Sequence, residues 1–281
     1  MQNKNRNKRA IISEETLAII EIGFYELKGK KVHIKELVEA SVKGTELIEP
    51  NEAIKMKPLI PTDKTMSIEV VNETTLQGAK RLSDSKKFKR IAVLNFASAK
   101  NAGGGFLSGS QAQEESLARN SALYVTLQTA PQYYDYHRKV NKSLLYSDHM
   151  IYSPYCPIFR LDDGELLNEP YLVDFITSPA PNRGALLHNE PQSVDKIEEV
   201  FAKRIEIVLR LAVEKGCDAL VLGAWGCGVF RNEPKNVARL FGEKLLDDGE
   251  FAHAFEYVSF SIPENSKDAK NSLAFEELFA K

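Results

Sequence analysis

The sequence has few cysteines, and their number is odd. Cys156, Cys217 and Cys227 are the three cysteines among 281 residues, without the close paired spacing of a disulfide framework or a four-ligand zinc site. A reducing compartment fits this count best. Long apolar runs are also missing, since none approaches the roughly 20 residues that a membrane span needs and no apolar region follows the basic N-terminus. We therefore expect a cytoplasmic protein without membrane contact.

Charge of one sign is not in excess. Lys and Arg total 37 against 39 Asp and Glu, a formal net charge of −2, so no global basic field would hold a nucleic-acid backbone. We do not expect duplex nucleic acid as a direct ligand. The basic residues Lys4, Arg6, Lys8 and Arg9 predict a solvated, frayed N-terminus. A hydrophobic share of 43% and a charged share of 27% are typical of a folded globular chain.

Strands and helices alternate along the chain. Short apolar runs typical of strands buried on both faces cover 90–96, 171–176 and 219–223, with further strands near 68–71 and over 255–262. Amphipathic patterns predict helices over 13–28, 34–43, 73–83, 192–215, 234–247 and 269–280. This order predicts one three-layer α/β domain with a mixed, largely parallel sheet. Residues 1–65 are expected to form an N-terminal extension packed on a core of residues 66–281.

A glycine-rich loop follows the predicted strand at 90–96. It contains glycines 103, 104 and 105, and a helix begins near Gln113. Backbone N–H groups of such a turn can approach an anion closely beside the positive end of a helix. The spacing fails two common patterns, because Ser108 stands where a dinucleotide loop needs Gly and Ser110 where a P-loop needs Lys.

A second glycine-rich loop follows the strand that ends at Gly223. Its members are Gly226, Cys227, Gly228, Val229 and Phe230. Two such loops at the carboxyl ends of buried strands can face each other across a cleft and hold two phosphates. Each loop alone is explained equally well as a tight turn, whereas the pair predicts a diphosphate ligand.

Two adjacent glutamates, Glu114 and Glu115, open the helix behind the first loop. Acids in a first helical turn commonly only complement the helix dipole. Here carboxylates would repel phosphate, so binding alone gives no reason for them. Their presence favours proton transfer on a group beside the phosphates.

The motif Gly103-Gly104-Gly105, seven residues, then Gln113-Glu114-Glu115 resembles the signature of poly(ADP-ribose) glycohydrolases, which are macrodomain enzymes. Segments 10–25, 95–97, 112–119 and 222–230 resemble the compact bacterial branch of that family. The resemblance implies a macrodomain fold and a glycosidase of the DNA damage response. Its expected partners are poly(ADP-ribose), ADP-ribose and poly(ADP-ribosyl)ated proteins. No cofactor or metal is implied, and a monomer is expected because no exposed apolar stripe stands out.

The resemblance also implies residue roles. Glu115 is the expected catalytic acid and base, and Glu114 is expected to hold the ribose hydroxyls of the scissile unit. Phe230 is placed against the distal ribose, and the adenine walls are assigned to Phe260 and Ile262. The full set of expected substrate-binding residues is Gly103, Gly104, Gly105, Phe106, Gln113, Gly226, Cys227, Gly228, Val229, Phe230, Phe260 and Ile262.

One departure from the family is visible. Ser98 stands near a position where the family often has Asn, and Asn101 follows three residues later. The sequence leaves open which of the two polar groups orients the ribose.

Two other functions stay open from the sequence. A non-catalytic macrodomain that binds ADP-ribose shares the fold and both loops, and the glutamate pair argues against it. A mono-ADP-ribosyl-protein hydrolase would act on the protein linkage, whereas the spacing of the pair to the glycines favours the polymer bond.

The remaining candidate residues have structural explanations. The five histidines show no metal-binding spacing. Cys227 fits either a reactive thiol or a small side chain in a tight turn. Trp225 is expected in the core, and Tyr133, Tyr134 and Tyr136 in a surface loop.

Overall fold

The computed structural model describes residues 2–54, 56, 65–264 and 269–280. A two-stranded hairpin comprises β1 (Phe24–Leu27) and β2 (Lys30–His33), and the main sheet comprises β3 (Glu46–Ile48), β4 (Ser67–Val71), β5 (Ile91–Phe96), β6 (Met150–Arg160), β7 (Leu166–Ser178), β8 (Ala219–Leu222) and β9 (Tyr257–Ser261). The α-helices are α1 (Gln2–Ile22), α2 (Lys35–Gly44), α3 (Pro50–Ile54), α4 (Thr75–Ser85), α5 (Gln113–Asn120), α6 (Leu123–Leu127), α7 (Pro131–Asp135), α8 (Arg183–Asn189), α9 (Ile197–Glu214), α10 (Pro234–Leu245) and α11 (Ala269–Phe279).

The main sheet has the strand order β3-β6-β7-β5-β8-β9-β4. The pairs β7-β5, β5-β8, β8-β9 and β9-β4 are parallel, and the pairs β3-β6 and β6-β7 are antiparallel. This topology confirms the mixed, largely parallel sheet. Strand β3 comes from the segment 1–65, so that segment contributes one edge of the sheet.

Helices cover both faces of the sheet. Along β5, Ala92 and Leu94 face a core cluster shared with α9, α10 and α11. Ile91 and Val93 face a second cluster, shared with α2, α4 and α5. Successive side chains of a strand point to opposite faces, which is why a continuous apolar run marks a strand covered on both sides. The three-layer architecture is confirmed.

The N-terminal helix differs from its prediction at both ends. It covers Gln2–Ile22 rather than 13–28, because Gly23 stops it with a φ of +86° and the chain then turns into the β1-β2 hairpin. The expected frayed terminus is wrong. Arg6 and Arg9 lie in this helix and donate hydrogen bonds to the backbone carbonyls of loop residues 108 and 109.

Two features of the middle of the chain were not predicted. Strand β6 is 11 residues long, but prolines at 154 and 157 and two register shifts against β7 hide the period of two. Tyr133 and Tyr134 lie in α7 and are buried, so the surface loop expected for the tyrosine cluster is wrong. Trp225 is fully buried, as expected.

The described part of the chain contains no helix that is both long and apolar enough to cross a membrane. Among the same residues, no group of three or more His, Cys, Asp or Glu side chains is placed to hold a metal ion.

Candidate active site

Gln113 ties the start of α5 to the end of β5. Its side-chain amide donates to the carbonyl oxygen of Leu94 at 2.8 Å and accepts from the backbone N–H of Phe96 at 2.9 Å. Strand β8 pairs with β5 only as far as Val93, so the amide satisfies backbone groups beyond the last strand pair. The two glutamates that follow are therefore fixed relative to the sheet.

Glu114 is buried where β5 meets α5, with 3% of its surface exposed. Its carboxylate oxygens accept hydrogen bonds from the backbone N–H of Ser98 at 2.7 Å and from the side-chain amide of Asn95 at 3.2 Å. Burial raises the pKa of Glu114 to about 8, against the smaller opposing effect of these hydrogen bonds. The carboxyl group therefore holds its proton at neutral pH.

This buried acid makes the stability of the protein depend on pH. The pKa of Glu114 rises from 4.5 to about 8 on folding. Between these two pKa values the folded state binds more protons than the unfolded state. The stability that the protonated Glu114 contributes is fully present below the unfolded pKa, and it is lost as the pH rises through the folded pKa. Relative to Glu114→Gln, we expect the wild type to lose on the order of a few kcal/mol of unfolding free energy between about pH 5 and about pH 9. Urea denaturation across this range measures the difference.

A matched control is Glu36→Gln, because Glu36 lies in the first turn of α2 and is exposed. This variant should keep the pH profile of the wild type. Parallel profiles for the wild type and Glu114→Gln would contradict a protonated Glu114.

Glu115 is half-buried and lines the cleft. Its Oε1 accepts a hydrogen bond from the backbone N–H of Gly105 at 3.0 Å, and among the described residues this is its one hydrogen-bond partner. The glycine loop comes close enough to do this because Gly104 has no side chain. A Cβ atom there would lie 2.4 Å from Glu115 Oε1. One carboxylate oxygen is thus fixed by the loop, and the other is available to a ligand.

The cleft has a volume of about 660 Å³ and opens where β5, β8 and β9 end. That volume lies in the range of pockets that bind small molecules. The loops after parallel strands meet at the same edge of the sheet, which brings residues 96–101 opposite residues 224–230. Glu114 and Glu115 lie on one wall, and Phe230 on the other.

The structure brings most of the expected site residues together. Lining the cleft with the two glutamates are Gln113, Gly226, Gly228, Val229, Phe230 and Ile262. Gly103, Gly104 and Gly105 contact the glutamates rather than the open space. Ser98 holds Glu114 through its backbone N–H, and its hydroxyl accepts from the N–H of Asn101 at 3.1 Å.

Besides these glycines, three more expected site residues lie outside the lining of the cleft. Phe106 is fully buried and packs on Tyr124, with ring centroids 4.7 Å apart. Phe260 is fully buried in the core against the aromatic rings of α10 and α11. Cys227 is buried, and this burial raises the pKa of its thiol to about 12, so it is not a nucleophile at neutral pH.

Sequence reasoning missed three residues of the site. Tyr146 lines the cleft beside Phe230, with ring centroids 6.1 Å apart. Asp162, at the β6-β7 turn, accepts hydrogen bonds from Ser116 and from a threonine of the α4 cap. Asn95 is the third, and it alone had a visible signal, because an amide inside the apolar run of β5 needs a polar partner.

Residues 13–161 match the family model described as microbial-type PARG, catalytic domain, where PARG is poly(ADP-ribose) glycohydrolase. That match spans more than half of the chain. The chain belongs to the microbial-type poly(ADP-ribose) glycohydrolase family. It is accordingly a glycohydrolase, and the enzyme class expected from the sequence is confirmed.

Solved poly(ADP-ribose) glycohydrolase structures resemble the whole chain. The enzyme from Thermomonospora curvata is 44% identical with a TM-score of 0.92, covering 97% of this chain and 100% of that one. Its complex with the inhibitor ADP-HPD is 45% identical with a TM-score of 0.89, covering 96% and 99%. The Deinococcus radiodurans enzyme in complex with ADP-ribose is 40% identical with a TM-score of 0.81, covering 91% and 98%. No curated protein matches this chain.

Proposed function

We propose that this protein hydrolyses the ribose–ribose O-glycosidic bonds of poly(ADP-ribose) and releases ADP-ribose, with Glu115 as general acid and base. The observation that carries the proposal is the half-buried carboxylate of Glu115, which lines the cleft and is held by one backbone N–H. A protein that only binds ADP-ribose has no use for a carboxylate there. The ligands of the solved relatives, ADP-HPD and ADP-ribose, support the same ligand class.

In this proposal the cleft takes the terminal ADP-ribose unit. The backbone of the 226–230 loop and of residues 98–101, which lead into the three glycines and line the cleft, cradles the diphosphate. Phe230 lies against the distal ribose, and Ile262 borders the adenine. Glu114 holds the hydroxyls of the scissile ribose, since its carboxyl group is already fixed by Ser98 and Asn95.

The reaction then needs one protein carboxyl group. Glu115 donates its proton to the leaving ribose oxygen as the C–O bond breaks and the electron pair passes to that oxygen. The substrate's own diphosphate stabilises the positive charge that develops at the anomeric carbon, a task that a second carboxylate performs in most glycosidases. The Glu115 carboxylate next takes a proton from water while the water oxygen bonds to the anomeric carbon. This step returns Glu115 to its starting form.

The test is incubation of purified protein with a poly(ADP-ribosyl)ated acceptor, with the products separated by chromatography. Release of free ADP-ribose supports the proposal, and the absence of longer fragments would show cleavage from the chain end. Binding of ADP-ribose by calorimetry without any release would instead make the protein a reader of ADP-ribose. Release from a mono-ADP-ribosylated acceptor alone would make it a hydrolase of the protein linkage.

The proposal extends to the whole chain. Residues 66–281 form the catalytic core and residues 1–65 an extension packed on it, and the bonds from α1 to the loop before α5 support this arrangement. We propose that the protein acts as a monomer in the cytoplasm on poly(ADP-ribosyl)ated proteins.

A further inference from the structure

Two arginines of α1 reach the loop that leads into α5. Arg6 donates through Nε to the carbonyl oxygen of Ser108, and Arg9 donates through Nε to that of Gly109, at 2.8 Å in each case. Each guanidinium group has five N–H donors, so these contacts fix the groups and leave most donors free. Free N–H donors of both cations therefore lie at the loop that leads to Gln111, which lines the cleft.

A third arginine meets the same loop from α5. Arg119 is 3% exposed and donates to the carbonyl oxygen of Ser110 at 3.1 Å and to the side-chain oxygen of Gln111 at 2.5 Å. Gln111 in turn lines the cleft. Burial and the nearby charge of Arg9 lower the pKa of Arg119 to about 10. Two positive charges thus crowd each other next to the cleft.

No carboxylate of the described residues forms an ion pair with any of the three guanidinium groups, which bind carbonyl, hydroxyl and amide oxygens. A cation that is buried without a counter-ion is costly. Clustered guanidinium groups that keep free donors suit a phosphate, which they bind in bidentate fashion. The carboxylates of Glu115 and Asp162 act on Arg119 through their charge without forming an ion pair, so no carboxylate of the described residues takes up the free donors of Arg6 and Arg9.

The loop is also held by bonds that do not involve these cations. It is closed by backbone hydrogen bonds from the N–H of Ser110 to the carbonyl of Gly105 at 3.1 Å and from the N–H of Gly109 to that of Phe106 at 2.9 Å. The hydroxyl of the fully buried Ser13 also donates to the Phe106 carbonyl, at 2.9 Å. Bonds to the loop use only part of the donors of Arg6 and Arg9, so loop structure does not account for all of them.

We propose that Arg6 and Arg9, with the buried charge of Arg119 behind them, bind the phosphates of poly(ADP-ribose) on the leaving-group side of Glu115. The inference rests on the proposed function, in which the released unit occupies the cleft from Glu115 to the 226–230 loop. The rest of the polymer then leaves over the opposite rim, where Gln111 lies. Each further unit carries a diphosphate.

The experiment compares the double variant Arg6→Gln/Arg9→Gln with the wild type. Its measured quantities are kcat and KM for poly(ADP-ribose) at several salt concentrations, and the Kd of ADP-ribose by calorimetry. We expect KM to rise about tenfold with kcat within about twofold, and the salt slope of log(kcat/KM) to fall by about one. The Kd of ADP-ribose, which ends at the scissile ribose, should not change.

Two further variants separate a phosphate site from its alternatives. Lys4→Gln/Lys8→Gln removes the same charge from exposed positions of the same helix and should leave KM near that of the wild type. Arg6→Lys/Arg9→Lys keeps the charge and should restore most of the affinity for polymer. An equal rise of KM in Lys4→Gln/Lys8→Gln would show that the positive charge of the whole helix attracts the polymer. It would rule out a specific phosphate site at Arg6 and Arg9. A fall in kcat with unchanged KM would make the arginines clamps of the loop only.

These outcomes are distinct from failure of the proposed function. If the wild type releases no ADP-ribose from polymer, the proposed function fails and the subsite with it. If the wild type is active and the arginine variant matches it in KM and salt slope, the subsite alone is wrong.

Discussion

Glu115→Gln lowers the rate of ADP-ribose release by about 10²–10⁴-fold and leaves the Kd of ADP-ribose within about twofold. The amide keeps the shape of the carboxylate, and its oxygen can still accept the hydrogen bond from Gly105. It cannot deliver a proton to the leaving oxygen or take one from water. Chromatography of the products gives the rate, and calorimetry gives the affinity.

The control for this variant is Glu36→Gln, which removes an acid from the first turn of another helix and should retain full activity. Glu115→Gln activity within about tenfold of the wild type, in a preparation free of wild-type enzyme, would show that another group transfers the proton. A parallel loss of activity and ADP-ribose binding would instead indicate a damaged cleft.

The second largest effect is expected at Gly104. This residue has a φ of +58°, and in Gly104→Ala the new Cβ atom would lie 2.4 Å from Glu115 Oε1 and 2.9 Å from Glu115 Cδ. Either the loop or the carboxylate has to move. Since a displacement of about 1 Å at a reacting group can cost about 10²-fold in rate, we expect a loss of that order in kcat. Steady-state kinetics with polymer as substrate measures it.

Gly216→Ala is the matched control for the backbone. Gly216 also has a positive φ, of +74°, but a Cβ atom there meets nothing within 4 Å. Both variants therefore carry the strain of an alanine in the left-handed region, about 1–2 kcal/mol, and both should lower Tm. Only Gly104→Ala should lose activity in the folded state. Equal activities of the two folded variants would mean that the glycine loop does not set the position of Glu115.

Local pattern was sufficient for the parts of the site that lie near each other in sequence. The apolar run of β5, the three glycines and Gln113-Glu114-Glu115 span residues 91–115, and strand, loop and helix form there as their composition predicts. The position of the second loop after β8 followed from the same rule, because parallel strands end at one edge of a sheet.

Contacts between distant segments could not be predicted. Arg6 and Arg9 lie about 100 residues from the loop they bind, and nothing near them in sequence distinguishes such arginines from solvated ones. Tyr146 reaches the cleft from irregular chain between α7 and β6. Phe260 shows the limit of pattern within a strand: it shares a face with Ile262, yet it packs in the core while Ile262, just past the strand end, borders the cleft.

The amide of Gln113 has a consequence for how this enzyme can vary. It occupies the place of a strand partner at the end of β5, so the first turn of α5 is anchored to the sheet, while the glycine loop holds the Glu115 carboxylate. Within the connection before α5 the side chain of Leu107 is exposed, so its identity can change without displacing the proton donor. The catalytic geometry thus leaves this one exposed side chain free to diverge, while the backbone around it is fixed on both sides.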